Sequence, residues 1–189
     1  MRLSRLEITN FKGIGTKQVI ELAPITLLSG PNSAGKSTIL QSLHYVREVL
    51  ARGNPDPDQT IAGGLIDLGG FANLIHGHDL SRTMTIKLVI DAIDGTGDER
   101  LPLNSGASFN ASEFADLPIR YLVGENTDLK DYAVVHAVGV ELSVAWSDLH
   151  GGPFVSSITI EIDDAEVATI SSPAQAGRAV LSGFNFDHP

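Results

Sequence analysis

Ile25-Thr26-Leu27-Leu28-Ser29-Gly30-Pro31-Asn32-Ser33-Ala34-Gly35-Lys36-Ser37-Thr38 is the stretch on which the reading of this chain turns. Its first four residues are an apolar run between Pro24 and Gly30, the pattern of a strand buried on both faces. Gly30 to Ser37 then meets every fixed position of G-x-x-x-x-G-K-[ST]. The two glycines let the backbone wrap closely and turn successive N–H groups inward, which makes a nest for an anion. With this chain's own Gly, Lys and Ser/Thr content, the four fixed positions would match by chance in roughly 0.7% of such chains.

Downstream of the loop, Ile39, Leu40, Leu43, Val46, Val49 and Leu50 recur at three- and four-residue spacing. That spacing predicts a helix over Lys36 to Ala51 with one apolar stripe. Arg47 and Arg52 suit its last turns, Gly53 and Pro55 end it, and Asn54 to Gln59 is a loop rather than a linker. Strand, loop and helix therefore follow in the order the motif requires. The helix would aim the positive end of its dipole at the phosphates, Lys36 would bridge the β- and γ-phosphates, and the Ser37 hydroxyl would ligate Mg²⁺. The loop reads phosphates and not the base, so ATP and GTP stay open.

The flanks read mostly as β. Leu3, Leu6, Ile8 and Phe11 alternate loosely before the turn-prone Gly13-Ile14-Gly15, and Gln18 to Leu22 is a second short strand. Beyond residue 60 a short helix fits around Phe71–Ile75, and Met84–Ile90, Leu117–Val123, Val134–Trp146 and Val155–Ile170 read as strands. Within the last, Ile158, Ile160 and Ile162 alternate with Thr159 and Glu161, and Asp163-Asp164 is the turn of a hairpin. The expected fold is α/β: a mixed sheet around the phosphate loop and its helix, with an antiparallel β subdomain over 61–189.

Composition narrows function. The 189 residues contain no cysteine, which removes disulfides, thiolate catalysis and Cys-based zinc sites. Residues 1–60 carry seven basic and five acidic groups, whereas 61–189 carry six and eighteen, the wrong sign for gripping a phosphate backbone. No run suits a membrane span and the first residues lack a signal-peptide core, so a cytosolic protein is expected. His76-Gly77-His78-Asp79 has metal-like spacing without a further ligand nearby, and Asp94 to Glu99 resembles a calcium loop that lacks its twelfth-position acid. Both read more simply as loops, and Trp146 on its alternating strand reads as a core or sheet-face residue rather than a ligand-stacking one. Asn110-Ala111-Ser112 is a glycosylation sequon without consequence in a cytosolic protein.

The strand followed by Asn10-Phe11-Lys12-Gly13, a second strand, and Gly30 to Thr38 resembles the opening of ABC-type ATPases of the SMC, RecF and OLD group. Asp67-Leu68-Gly69-Gly70-Phe71-Ala72-Asn73-Leu74-Ile75-His76 is similar to a segment of bacterial AAA-family ATPases of the OLD-like branch. The resemblance covers residues 1–80 specifically and the rest only in being β-rich. It implies ATP and Mg²⁺ as cofactors and an ATP-driven pairing of two heads. The nucleotide would be held by Gly30, Pro31, Asn32, Ser33, Ala34, Gly35, Lys36, Ser37 and Thr38, with Lys12 reaching it from the Asn10–Gly13 stretch. It also implies work on DNA, in repair or antiphage defence, through the assembly and not through this chain alone.

That group also needs a signature segment and a buried acidic strand. Ile158 to Asp164 and Leu88 to Asp91 fit the acidic strand poorly, and Leu181-Ser182-Gly183 lies on the wrong side of them to be the signature. A single N-terminal ATPase lobe is therefore expected, partnered by a second copy or by a chain carrying the rest of the head. Two rivals stand beside it: a small phosphotransferase using the same loop, and a non-catalytic module that responds to nucleotide.

Overall fold

The computed structural model describes residues 2–31, 35–57, 68–91, 135–173 and 179–185. Its frame is one seven-stranded sheet in the order β2-β1-β3-β4-β5-β6-β7. The strands are β1 (Arg2–Thr9), β2 (Gln18–Glu21), β3 (Met84–Asp91), β4 (Ala137–Ser147), β5 (Gly152–Ile162), β6 (Ala165–Ser171) and β7 (Val180–Phe184). Helix α1 (Lys36–Arg52), the single-turn α2 (Phe71–Leu74) and a 3₁₀ turn at His76–His78, where a loop was expected, complete it.

Every described pairing is antiparallel, so the expected mixed sheet is corrected. The reason lies at Ile25–Leu28, which is not a strand here. β2 leaves β1 after the Leu22 amide bonds the Ser4 carbonyl. Pro24 then offers no N–H, and the Thr26 hydroxyl accepts from the Ala23 amide, turning the chain off the sheet. Ile25 and Leu27 are left 82% and 87% exposed. An apolar run signals that a segment wants burial, but the strand itself is made by a neighbour's hydrogen bonds.

Period-two patterning gives the sheet its two faces. Leu6 and Ile8 of β1, Met84 and Ile86 of β3, and Leu142 and Val144 of β4 are buried against α1 and α2. The other face carries charge: Arg5 and Lys17 flank Glu7 in ion pairs, and Lys87 pairs with Glu161 across β4. The Ile158/Ile160 alternation holds, with Ile160 opposite Val140 and Ile158 opposite Leu142. Asp163 and Asp164 form the hairpin turn, both at positive φ. The strand expected at Leu117–Val123 lies outside the described residues, as do Asp94–Glu99 and Asn110–Ser112.

Asp163 also closes the sheet's end, because its carboxylate accepts from the amides of His136 and Ala137 at 2.9 and 2.8 Å. Partial burial works to raise its pKa, but those amides and the His136 ring outweigh it, so the carboxyl titrates below its ordinary value. A depressed folded pKa contributes stability above the unfolded value, and that stability is lost as pH falls through the folded one. Acid denaturation curves of Asp163→Asn and the parent chain should therefore converge at the acid end of the titration. A difference unchanged with pH would count against this role.

α1 matches its expected span to within a residue. It ends on Gly53, whose amide bonds Val49 O while Asn54 N reaches back to Glu48 O. Its stripe needs one correction: Leu40 is 55% exposed, and Ser42 and Tyr45 take its place in the core. Tyr45 is buried because its hydroxyl donates to the Pro55 carbonyl at 2.9 Å, and burial raises the phenol's pKa so that it stays a donor. Tyr45→Phe should cost about 1 kcal/mol in a urea melt; no change would mean that water satisfies Pro55 O equally well.

Candidate nucleotide site

Lys36 and Gly35 sit where loop meets helix. Gly35 takes the left-handed conformation, φ 85°, that a side chain rarely adopts, and α1 starts with neither a side-chain cap nor an acid in its first turn. The first amides of the helix are therefore not claimed by a side chain, as an anion site requires. Lys36 Nζ folds back and donates to the carbonyls of Gly30 at 2.8 Å and Pro31 at 2.6 Å. Those neutral acceptors hold the ammonium over the loop and are weaker partners than a phosphate oxygen. Ser37 is exposed and Thr38 half-buried, while Asn32, Ser33 and Ala34 lie outside the described residues.

Beside this helix end is a groove of about 290 Å³ lined by Gly13, Ile14, Gly15, Thr16, Gln18, Ile20, Gly35 and Ile39. That is at the small end of the ~300–1,000 Å³ typical of small-molecule pockets. One wall is the turn between β1 and β2, and the other is the start of α1. A second cavity of about 350 Å³ lies around Arg2, Arg5, Asp91 and Asp164. Its charges already pair with one another, Arg2 with Asp91 and Arg5 with Asp164, which leaves little to attract a ligand.

The groove's outer turn is held from behind. Asn10 and Lys12 both have positive φ, 55° and 50°. Such backbone costs energy and persists only where its surroundings impose it. Phe11 is fully buried, 6.1 Å from the Tyr45 ring, and bridges to Ile75. Lys12 N donates to Leu74 O, and His76 N to Asn10 O. Thus the Asn10–Gly13 and Leu68–His76 stretches, some sixty residues apart, form one unit. Sequence reading named both and did not join them; the signal was the pair of glycines before Phe71, which lets that segment turn in over the core.

Lys12 is part of this unit and is not among the groove's lining residues. Burial alone pushes its ammonium below the ordinary lysine value. His76 Nδ1 meets the Lys12 carbonyl at 2.8 Å and His78 Nδ1 meets the Ala72 carbonyl at 2.9 Å. Asp79 is engaged by Ser81 and Arg82.

The acidic strand and the signature segment fare differently from the loop. Asp91 pairs with Arg2, Glu161 with Lys87 and Asp164 with Arg5. None of them lines the groove. Leu181-Ser182-Gly183 is part of β7, where Ser182 Oγ bonds Ser171 Oγ. β7 is six strand spacings from β2, roughly 29 Å across the sheet. Trp146 is half-buried against the core, its ring stacked on Phe71 with centroids 6.3 Å apart.

The family model of an AAA ATPase domain matches residues 1–138. The chain belongs to that family. No curated protein matches it. The match spans the loop, α1, the Asn10–His76 unit and strands β1 to β3, so an AAA ATPase domain, a nucleotide-binding ATPase unit, is what positions these residues. The donor set fits Mg²⁺–nucleotide: one lysine over the loop, uncapped helix amides and a hydroxyl in the first turn. Among the described residues no helix is long and apolar enough to cross a membrane.

Proposed function

We propose that this chain is the Mg·ATP-binding N-terminal lobe of an ATPase of the SMC, RecF and OLD kind, in which ATP drives two heads together. The carrying observation is Lys36 Nζ suspended over the phosphate loop by the Gly30 and Pro31 carbonyls, beside the groove at Gly35 and Ile39. Lys36 would hold the β- and γ-phosphates in place of those carbonyls, the Ser37 hydroxyl would hold Mg²⁺, and Gly13–Thr16 with Gln18 would face the nucleoside. Lys12, on the same turn, adds positive charge near the phosphates.

The whole of residues 1–189 acts as one lobe and needs a partner, a second copy or a chain bearing the rest of the head. Two observations favour this. The acids of β3 and β5 are engaged in ion pairs, and Ile25 and Leu27 present bare apolar surface directly before the loop. Service in DNA repair or antiphage defence follows from the family resemblance, with DNA reached through the assembly.

Phosphate release at saturating Mg·ATP, followed as the concentration of the full chain is raised, tests the reading. Head pairing predicts a rate per chain that is near zero when dilute and climbs with concentration. A rate independent of concentration would indicate a self-contained phosphotransferase or hydrolase, and bound nucleotide with no release at any concentration would indicate a responsive module.

A further inference from the structure

We propose that His76 is the positioning residue of the nucleotide groove: it fixes the Gly13–Thr16 wall at the separation from α1 that admits a nucleoside. The inference rests on the nucleotide reading above and adds to it a residue that does not line the groove.

Three contacts converge on this one histidine. Its backbone amide donates to Asn10 O at 3.0 Å, and its ring Nδ1 lies 2.8 Å from Lys12 O. A carbonyl can only accept, so Nδ1 carries the proton. The ring's far edge lies against Gly15, where an ideal Cβ would stand 2.5 Å from Nε2 and 2.7 Å from Cδ2. A side chain at 15 would therefore have to displace the ring. His76 thus touches the turn at Asn10, Lys12 and Gly15, and the last of these lines the groove.

The turn needs such a brace. Two of its residues hold left-handed backbone, and its own bonds are the reciprocal pair between Phe11 and Ile14. The brace is anchored in turn, because Phe71, Leu74 and Ile75 just before it are fully buried. The Phe71 amide is also held by the Asp56 carboxylate at 3.0 Å, in the loop that follows α1. The Phe71–His76 segment is thus tied both to the loop after α1, through Asp56, and to the groove's turn, through His76.

The test compares the full chain with His76→Ala, His76→Asn and Gly15→Ala. Asparagine keeps an N–H near the position of Nδ1 and removes the rest of the ring. Affinities are measured for Mg·ATP, which needs groove and loop, and for Mg·tripolyphosphate, which needs the loop alone. Amide exchange over residues 11–16 is measured without ligand. Loss of one such bond is expected to weaken Mg·ATP about fivefold in His76→Ala, with tripolyphosphate unchanged. Exchange at Lys12 and Ile14 should rise by a similar factor while α1 keeps its protection. His76→Asn should recover most of both, and Gly15→Ala should resemble His76→Ala because the ring is displaced.

Equal losses for both ligands, or unaltered exchange in His76→Ala, would overturn the proposal by showing a general structural role or none. Wild-type chain that bound neither ligand would instead sink the nucleotide reading. The exchange arm would then still decide whether His76 holds the turn.

Discussion

Lys36→Ala is expected to weaken Mg·ATP binding by about 10- to 100-fold. The ammonium trades two neutral carbonyls for phosphate oxygens on binding, and charge-assisted bonds of this kind contribute about 1.5–3 kcal/mol each. In the free chain the same side chain braces only its own loop, so the variant should melt within about 0.5 kcal/mol of the parent. Isothermal titration beside a urea melt reads both quantities. Unchanged affinity would mean that the motif is a structural turn, whereas affinity and stability falling together would mean that the lysine holds the fold.

Phe11→Ala should have the largest effect on stability, a loss of about 3–5 kcal/mol. Phe11 is wholly buried, its ring tilted at 48° to Tyr45, and its backbone bridges both Ile14 and Ile75. Removing the ring opens a cavity where α1, the β1–β2 turn and the Leu68–His76 segment meet. Against a typical total of about 5–15 kcal/mol, that loss brings the domain near its threshold. The urea midpoint should fall steeply, and nucleotide affinity with it, since the groove's turn loses its anchor. A shift below about 1 kcal/mol would show that the three parts are held independently.

How far the sequence reveals this architecture depends on how local each signal is. α1 is legible because its stripe, its Gly53 stop and its loop all lie within twenty-odd residues. The β5–β6 hairpin is legible from alternation and a two-aspartate turn. Ile25–Leu28 misleads because hydrophobicity reports a preference for burial and not the partner that would satisfy it. Leu40 misleads in a milder way, since spacing alone admits it to a stripe from which the packing excludes it.

The site divides along the same line. Lys36, Ser37 and the glycines stand out in the sequence because phosphate chemistry fixes both residue types and spacing in that motif. The bracing of Asn10–Gly15 by Leu74–His76 is not legible, because it joins backbone carbonyls and a ring edge across some sixty residues and no periodicity encodes it. The acidic excess of 61–189 is visible in the composition, yet the pairing of Glu7 with Lys17 and of Lys87 with Glu161 on the sheet face emerges only from the fold.

The most direct test of the account is amide exchange on the full chain with and without Mg·ATP. Nucleotide held by the loop and groove should protect two stretches together, residues 13–20 and the first turn of α1, and leave β5 to β7 unaltered. Protection that appeared instead around Arg2, Asp91 and Asp164, or protection absent from both walls of the groove at saturating nucleotide, would contradict it.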